Sequence, residues 1–111
     1  MIRIHDAAIP NSQFEDVNMA GSSFEDINLQ GATMRDANLD GFKFSEVRAY
    51  NAAFDHVSLD GTKFEFADMK NVQFTHVDFS GAEIVDCNLD GMRINGQLVT
   101  DLLALASGAA G

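Results

Sequence analysis

The stretch from Ser22 to Leu39, SSFEDINLQGATMRDANL, decides the fold because it repeats one pattern every five residues. Each repeat has a large apolar residue, which we call its central residue; here these are Phe24, Leu29, Met34 and Leu39. The residue two positions earlier is mostly small or β-branched: Ser22, Ile27, Ala32 and Ala37. The residue two positions later alternates between an acidic residue and glycine, as in Asp26 and Gly31.

The five-residue pattern runs through most of the chain, with nineteen consecutive central positions from Ile4 to Ile94 and no insertion. Two apolar residues on either side of a polar one make a three-residue strand with one buried face. A helix is excluded because a five-residue period drifts around a helix of 3.6 residues per turn and forms no apolar stripe. The other two residues of each repeat must turn the chain. Strands and corners that always turn in the same sense wind the chain into a solenoid.

The second corner residue differs between alternate repeats. One set tolerates the positive φ that a type II turn requires at this place; it consists of Asn11, Gly21, Gly31, Gly41, Asn51, Gly61, Asn71, Gly81 and Gly91. The other set does not need a left-handed backbone, so we expect its corners to be of another type; it consists of Asp6, Asp16, Asp26, Asp36, Glu46, His56, Phe66, His76 and Asp86. Two alternating corner types indicate an even number of sides per coil.

Three repeats show a family resemblance most clearly: Ala37-Asn38-Leu39-Asp40-Gly41, Ala67-Asp68-Met69-Lys70-Asn71 and Cys87-Asn88-Leu89-Asp90-Gly91. They resemble the A(D/N)LXX pattern of the pentapeptide-repeat family, and the resemblance covers roughly residues 2 to 95. It implies an all-β fold, a right-handed quadrilateral β-helix in which four repeats form one coil. About four and a half coils follow. We divide the chain into a β-helix at 1–95 and a C-terminal segment at 96–111.

With this geometry, positions four repeats apart should stack about 4.8 Å apart along the axis. One interior column is then Ile4, Phe24, Phe44, Phe64 and Ile84, and the opposite column is Phe14, Met34, Phe54, Phe74 and Ile94. Phe42 is large where a small residue is expected, and Ala49 is small where a large one is expected. We predict that the Phe42 ring points inward and fills space that Ala49 leaves. Phe66 and Val85 should face outward.

The repeat ends after Ile94. Asn95-Gly96, between two short apolar stretches, predicts a type I′ hairpin. A short helix should follow over Leu102 to Ala106, and a helix this short must pack on something. It either caps the last coil of the same chain or forms a homodimer with a second copy, as the resemblance to longer DNA-mimicking relatives implies. The interface candidates are Leu98, Val99, Leu102, Leu103, Leu105 and Ala106.

The composition limits the classes of partner. The chain carries 17 Asp and Glu residues against 7 Lys and Arg residues, a formal charge of −10. Such a surface repels phosphates, so we expect no direct nucleic-acid binding; a basic protein surface would suit it, although acidity also keeps a fold soluble. No apolar run is long enough to span a membrane, and the N-terminal residues lack a signal-peptide core, so we expect a cytoplasmic protein.

Carboxylates at the corners suggest a second interpretation of the function. The acidic-face candidates are Glu15, Asp16, Asp36 and Asp55. The family resemblance implies that such a rod can be a DNA mimic, because some pentapeptide-repeat proteins that confer quinolone resistance bind DNA gyrase. This chain lacks the additional coils and loops of those proteins. Cations also interrupt its acidic surface, at Arg35, Lys43, Arg48, Lys63 and Lys70.

Signals for catalysis or metal binding are weak. His56 and His76 are four repeats apart and should stack, with Asp16 and Asp36 in the same corner column. Histidine and carboxylate together can bind a transition metal, but solvated corner residues recur in this way without one. Cys87 lies at an inward position, as a small core residue rather than a nucleophile. We expect no enzyme, no cofactor and no catalytic residues.

These observations favour a non-catalytic structural or protein-interaction module that self-associates through its C-terminal end and whose protein partner is unknown. The alternative is an acidic DNA mimic that binds and modulates DNA gyrase. A metal-binding protein is the remote third interpretation.

Overall fold

In a computed structural model, which describes residues 3–100, the chain forms a rod of short β-strands measuring 43 × 22 × 20 Å. Most strands have three residues, as the repeat predicts. The strands are β1 (Arg3–Ala8), β2 (Gln13–Glu15), β3 (Ser23–Asn28), β4 (Thr33–Arg35), β5 (Lys43–Ser45), β6 (Ala53–Asp55), β7 (Lys63–Glu65), β8 (Gln73–Thr75), β9 (Glu83–Val85), β10 (Arg93–Ile94) and β11 (Gln97–Leu98). β1 and β3 are longer because their pairing continues around a corner to Ala8 and Asn28.

The strands stack into two parallel sheets on opposite sides of the rod. One sheet has the order β1-β3-β5-β7-β9, and the other has the order β11-β10-β8-β6-β4-β2. Single parallel bridges such as Asn38↔Ser58 and Arg48↔Asp68 connect the coils on the other two sides. The register between successive coils is four repeats, as in Phe44↔Phe64. The four-sided β-helix and both predicted interior columns are therefore confirmed.

We number the four sides in chain order. In the coil that contains Phe44, side 1 carries Phe44, side 2 Ala49, side 3 Phe54 and side 4 Leu59. Each side ends at a corner of the same number, at Glu46, Asn51, His56 and Gly61 respectively. Residues in the other coils take the side and corner numbers of the residues on which they stack.

The backbone at corners 1 and 3 corrects one prediction. Their second residues were thought not to need a left-handed backbone, but all of these residues have positive φ; for example, φ is 53° at Glu46 and 53° at His56. The full set is Asp6, Asp16, Asp26, Asp36, Glu46, His56, Phe66, His76 and Asp86. The expectation about φ was wrong because closing a four-sided coil requires positive φ at the second corner residue of every corner, whichever residue is there. The alternation itself is present: corners 2 and 4 are closed turns, as where the Phe42 N–H donates to the Leu39 carbonyl at 3.0 Å, whereas corners 1 and 3 are open bends.

Stacked phenylalanines fill the interior. The Phe44 and Phe64 rings lie 4.6 Å apart and nearly parallel, and Phe54 and Phe74 lie 4.9 Å apart. Phe42 is buried and stacks on Phe44 at 4.4 Å, so its predicted inward direction is confirmed. Burial is lower at the two ends of the described rod, where central residues such as Ile4 and Ile84 are only partly buried.

A hairpin ends the sheet on side 3. β10 and β11 pair antiparallel, and positive φ at both Asn95 (49°) and Gly96 (82°) confirms the predicted type I′ turn. The Val99 N–H donates to the Met92 carbonyl at 2.9 Å, which places Val99 in the core. The predicted helix, with Leu102, Leu103, Leu105 and Ala106, lies outside the described residues and stays a prediction. No helix in the part of the chain that the structure describes is long and apolar enough to cross a membrane.

Candidate functional site

Charge is unevenly distributed over the four sides. On side 4, within residues 3–100, the residues on either side of the central positions include Asp40, Asp60 and Asp78 and neither Lys nor Arg. Two of these carboxylates accept hydrogen bonds from their own chain. Asp40 accepts from the Ser58 hydroxyl and from the Asp60 N–H, and Asp78 accepts from the Ser80 hydroxyl at 2.6 Å and N–H at 2.9 Å. The Ser80 hydrogen bonds lower the pKa of Asp78.

The four predicted acidic-face residues lie together on side 3 and corner 3. Asp16 and Asp36 are exposed corner residues, whereas Glu15 and Asp55 lie on the strands. Arg35 lies 3.8 Å from Glu15. The negative field on this side is therefore partly neutralised.

Corner 3 brings two histidines and one carboxylate together. The imidazole rings of His56 and His76 stack with their centroids 4.7 Å apart and an interplanar angle of 24°. The His56 Nδ1 lies 2.7 Å from the Asp55 Oδ1, within hydrogen-bond distance. One ligand atom from each of Asp55, His56 and His76 lies within 4.8 Å of the other two. We call these three residues the histidine cluster.

The exposed apolar side chains Phe66 and Val85 lie next to each other at corner 1. Phe66 is 55% exposed and Val85 is 39% exposed. They belong to successive coils, and the Phe66 N–H donates to the Val85 carbonyl at 3.1 Å. Their predicted outward direction is confirmed. We call this pair the apolar corner.

A thiol and an open groove lie outside the histidine cluster and the apolar corner. Burial is the main cause that raises the pKa of the Cys87 thiol, which lowers its thiolate fraction and its reactivity. An open groove of about 640 Å³ crosses side 1 past His5, Ser23 and Lys43. The His5 Nδ1 lies 3.1 Å from the Asp6 Oδ2, and both side chains are 70% exposed.

The sequence predicted the stacking of His56 on His76 but missed the part that Asp55 plays. The carboxylates considered were those of Asp16 and Asp36, which share the corner column but lie outside the histidine cluster. The sequence did contain a signal for Asp55, because it directly precedes His56 and the residue before a corner residue also points outward. The apolar corner was likewise predicted as two separate exposed residues, although positions 66 and 85 are neighbours whenever the register is four repeats.

Comparison with known proteins is consistent with this architecture. A family model described as a pentapeptide repeat region matches residues 7–84, more than half of the chain. No curated protein sequence matches. Among solved structures, the chain is similar to HetL, a pentapeptide repeat protein involved in heterocyst differentiation regulation from the cyanobacterium Nostoc sp. strain PCC 7120. The identity is 20%, the TM-score is 0.46, and the alignment covers 86% of this chain and 48% of HetL.

Two further structures are more distant. Trypsin-treated QnrB1, a plasmid-mediated fluoroquinolone resistance protein, is 16% identical with a TM-score of 0.27, over 82% of this chain and 55% of that one. Rfr23 from the cyanobacterium Cyanothece 51142 is 11% identical with a TM-score of 0.24, over 83% and 86%. The chain thus spans about half the length of the HetL and trypsin-treated QnrB1 structures. From the family match and the four-repeat register of its coils, the chain belongs to the pentapeptide-repeat family.

Proposed function

We propose that this chain is a non-catalytic protein-interaction module that binds a partner with a basic surface and an apolar pocket. The observation that carries the proposal is Phe66, a large aromatic residue at an exposed corner with a φ of 53°. A bulky residue with positive φ is an outlier, and such strain concentrates where it serves a function.

The fold itself does not require Phe66. The other residues of the corner 1 column are all acidic: Asp6, Asp26, Glu46 and Asp86. Aspartate tolerates a left-handed backbone far better than phenylalanine does, and it needs no apolar neighbour. A side chain that costs free energy in the free protein and stays more than half exposed is a good candidate for an anchor that a partner buries.

The residues around the apolar corner determine the chemistry of the partner. Glu46 and Asp86 are the column neighbours of Phe66, and Glu65 precedes it on the strand. Lys63 lies 3.7 Å from Glu65 and neutralises it in part. An apolar anchor with an acidic rim is complementary to a pocket that Lys or Arg side chains surround.

The test compares what the protein captures from a cell extract before and after a change at Phe66. We expect Phe66→Asn to lose the specific partner and high salt to weaken its capture, because the rim contacts are electrostatic. The matched control is Asp16→Asn, which places the same residue at an exposed left-handed corner on another edge of the rod. If Phe66→Asn retains every protein that the Asp16→Asn control retains, the apolar corner is not the binding site.

Self-association through the C-terminal end is a separate proposal. Of its candidates within the described residues, Leu98 is half-buried and Val99 is buried in its own chain, which supports a capping role for these two. The remaining candidates are tested by mass in solution. A dimer that Leu102→Asp with Leu103→Asp converts to a folded monomer supports self-association, and an unchanged monomer contradicts it.

DNA mimicry is the second candidate, and the lack of cations on side 4, within the described residues, is the observation that favours it. The charge per unit length of the rod counts against DNA mimicry. A formal charge of −10 on a rod 43 Å long is about one net charge per 4 Å, whereas a DNA duplex carries about one per 1.7 Å. A supercoiling assay with purified DNA gyrase decides the question: inhibition that Asp40→Asn with Asp60→Asn abolishes would establish mimicry, and no effect at high protein concentration would exclude it.

A further inference from the structure

We propose that the histidine cluster is a binding site for a divalent transition-metal ion such as Zn²⁺, and that the bound ion links two successive coils. The inference is independent of the partner proposed above, because the cluster lies at corner 3 and the apolar corner at corner 1. It rests on the three ligand atoms of Asp55, His56 and His76, which lie within 4.8 Å of one another.

Binding requires exposed side chains to rotate, because the stacked His56 and His76 rings must turn until one nitrogen of each points at the ion. Zinc binds imidazole nitrogen and carboxylate oxygen at about 2.0–2.2 Å, so two ligands of a tetrahedral ion lie roughly 3.4 Å apart. The His56 Nδ1 and the Asp55 Oδ1 are now 2.7 Å apart, so an ion between them would open this contact by less than about 1 Å. His56 is 59% exposed and Asp55 is 38% exposed, which leaves both free to rotate.

The backbone of the site is fixed by the β-helix. The His56 N–H donates to the Thr75 carbonyl at 3.0 Å, and the His76 N–H donates to the Asn95 Oδ1 at 3.0 Å. The two histidines have almost the same φ, 53° and 52°, so their side chains leave the corner in the same direction. Ion binding would therefore order side-chain rotamers but no loop, which limits its entropic cost.

The ligand types decide which ions fit. Two imidazoles and one carboxylate suit Zn²⁺, Cu²⁺ or Ni²⁺, whereas Mg²⁺ and Ca²⁺ prefer oxygen ligands alone. Three protein ligands leave at least one position for water. Because the ligands come from two coils, the ion would act as a cross-link, and it would stabilise the folded state increasingly as its concentration rises above the dissociation constant.

Titration of the full chain with ZnCl₂, followed by calorimetry and thermal unfolding, tests the site. We expect one ion per chain, and a Zn²⁺ concentration 100 times the dissociation constant should raise Tm by roughly 10 °C. His56→Asn or His76→Asn removes a ligand itself and should weaken binding by more than the roughly 10–100-fold that is typical of losing a residue that only supports a ligand. Asparagine tolerates the left-handed backbone, so both variants should fold.

His5→Asn is the matched control, because His5 lies outside the cluster. This control should bind Zn²⁺ as the parent does, and excess Mg²⁺ should not compete. Three outcomes would overturn the proposal: no saturable binding at millimolar Zn²⁺, equal binding by His76→Asn, or binding that occurs only with a doubling of the mass in solution. The last would show an ion shared between copies rather than a site within one chain.

Discussion

Replacement of Phe66 by asparagine should leave the stability of the fold almost unchanged, although it removes a large aromatic side chain. Two effects oppose each other. Phe66 is 55% exposed, so the substitution gives up less than half of the roughly 1.5–3 kcal/mol that full burial of such a side chain contributes, or about 1 kcal/mol. Against this, a left-handed backbone costs an ordinary L-residue about 1–2 kcal/mol, and asparagine avoids much of that cost.

The two terms nearly cancel, so the free energy of unfolding should change by less than about 1 kcal/mol in either direction. Urea unfolding followed by circular dichroism measures the change. Phe64→Ala is the control, since Phe64 is buried in the interior column two positions earlier and should lose about 3–5 kcal/mol. A loss above about 2 kcal/mol for Phe66→Asn would refute the reasoning, because Phe66 would then be a structural residue and its exposure would need no partner.

Three further predictions concern the core, the thiol and one carboxylate. In the same urea assay, Phe44→Ala should destabilise the fold by about 4 kcal/mol and Phe14→Ala by about half as much. Phe44 is buried among other rings, whereas Phe14 is half-buried near an end. Equal losses would contradict the lower burial at the ends. Burial raises the pKa of the Cys87 thiol, so native protein should react with iodoacetamide more slowly than unfolded protein at neutral pH, and a native rate as fast as the unfolded one would contradict this. The lowered pKa of Asp78 means that its contribution to stability is present above the unfolded-state pKa and is lost as pH falls through the folded-state pKa. Ser80→Ala removes the hydroxyl and should raise the pKa that NMR titration of Asp78 measures; no change would show that the hydroxyl is not the main cause.

The interior of the rod was predictable from the sequence, whereas the backbone at its corners was only half predictable. Phe24, Phe44 and Phe64 could be placed in one column because a fixed period leaves only one register. At Glu46 and Phe66, residue preference indicated an ordinary backbone, yet φ is positive at both. The requirement to close the coil overrides local preference there, and a propensity argument does not include that requirement.

The candidate sites show a similar division. The stacking of His56 and His76 followed from their separation by one full coil, but the 2.7 Å contact with Asp55 depends on side-chain rotamers. Rotamers of exposed residues leave no periodic signal in a sequence. The exposure of Phe66 was predictable, but its left-handed backbone was not.

The four-repeat register fixes the position of every outward side chain along and around the rod. A shift of four repeats in the sequence moves a side chain by about 4.8 Å along the axis and leaves its direction unchanged, whereas a shift of one repeat moves it to the next side. The surface is therefore a grid whose rows are coils and whose columns are sides and corners. Simple arithmetic on residue numbers can then transplant the apolar corner from positions 66 and 85 to positions 46 and 65 with its geometry preserved. Outward side chains could therefore be placed at chosen distances along this rod by substitution, without redesign of its core.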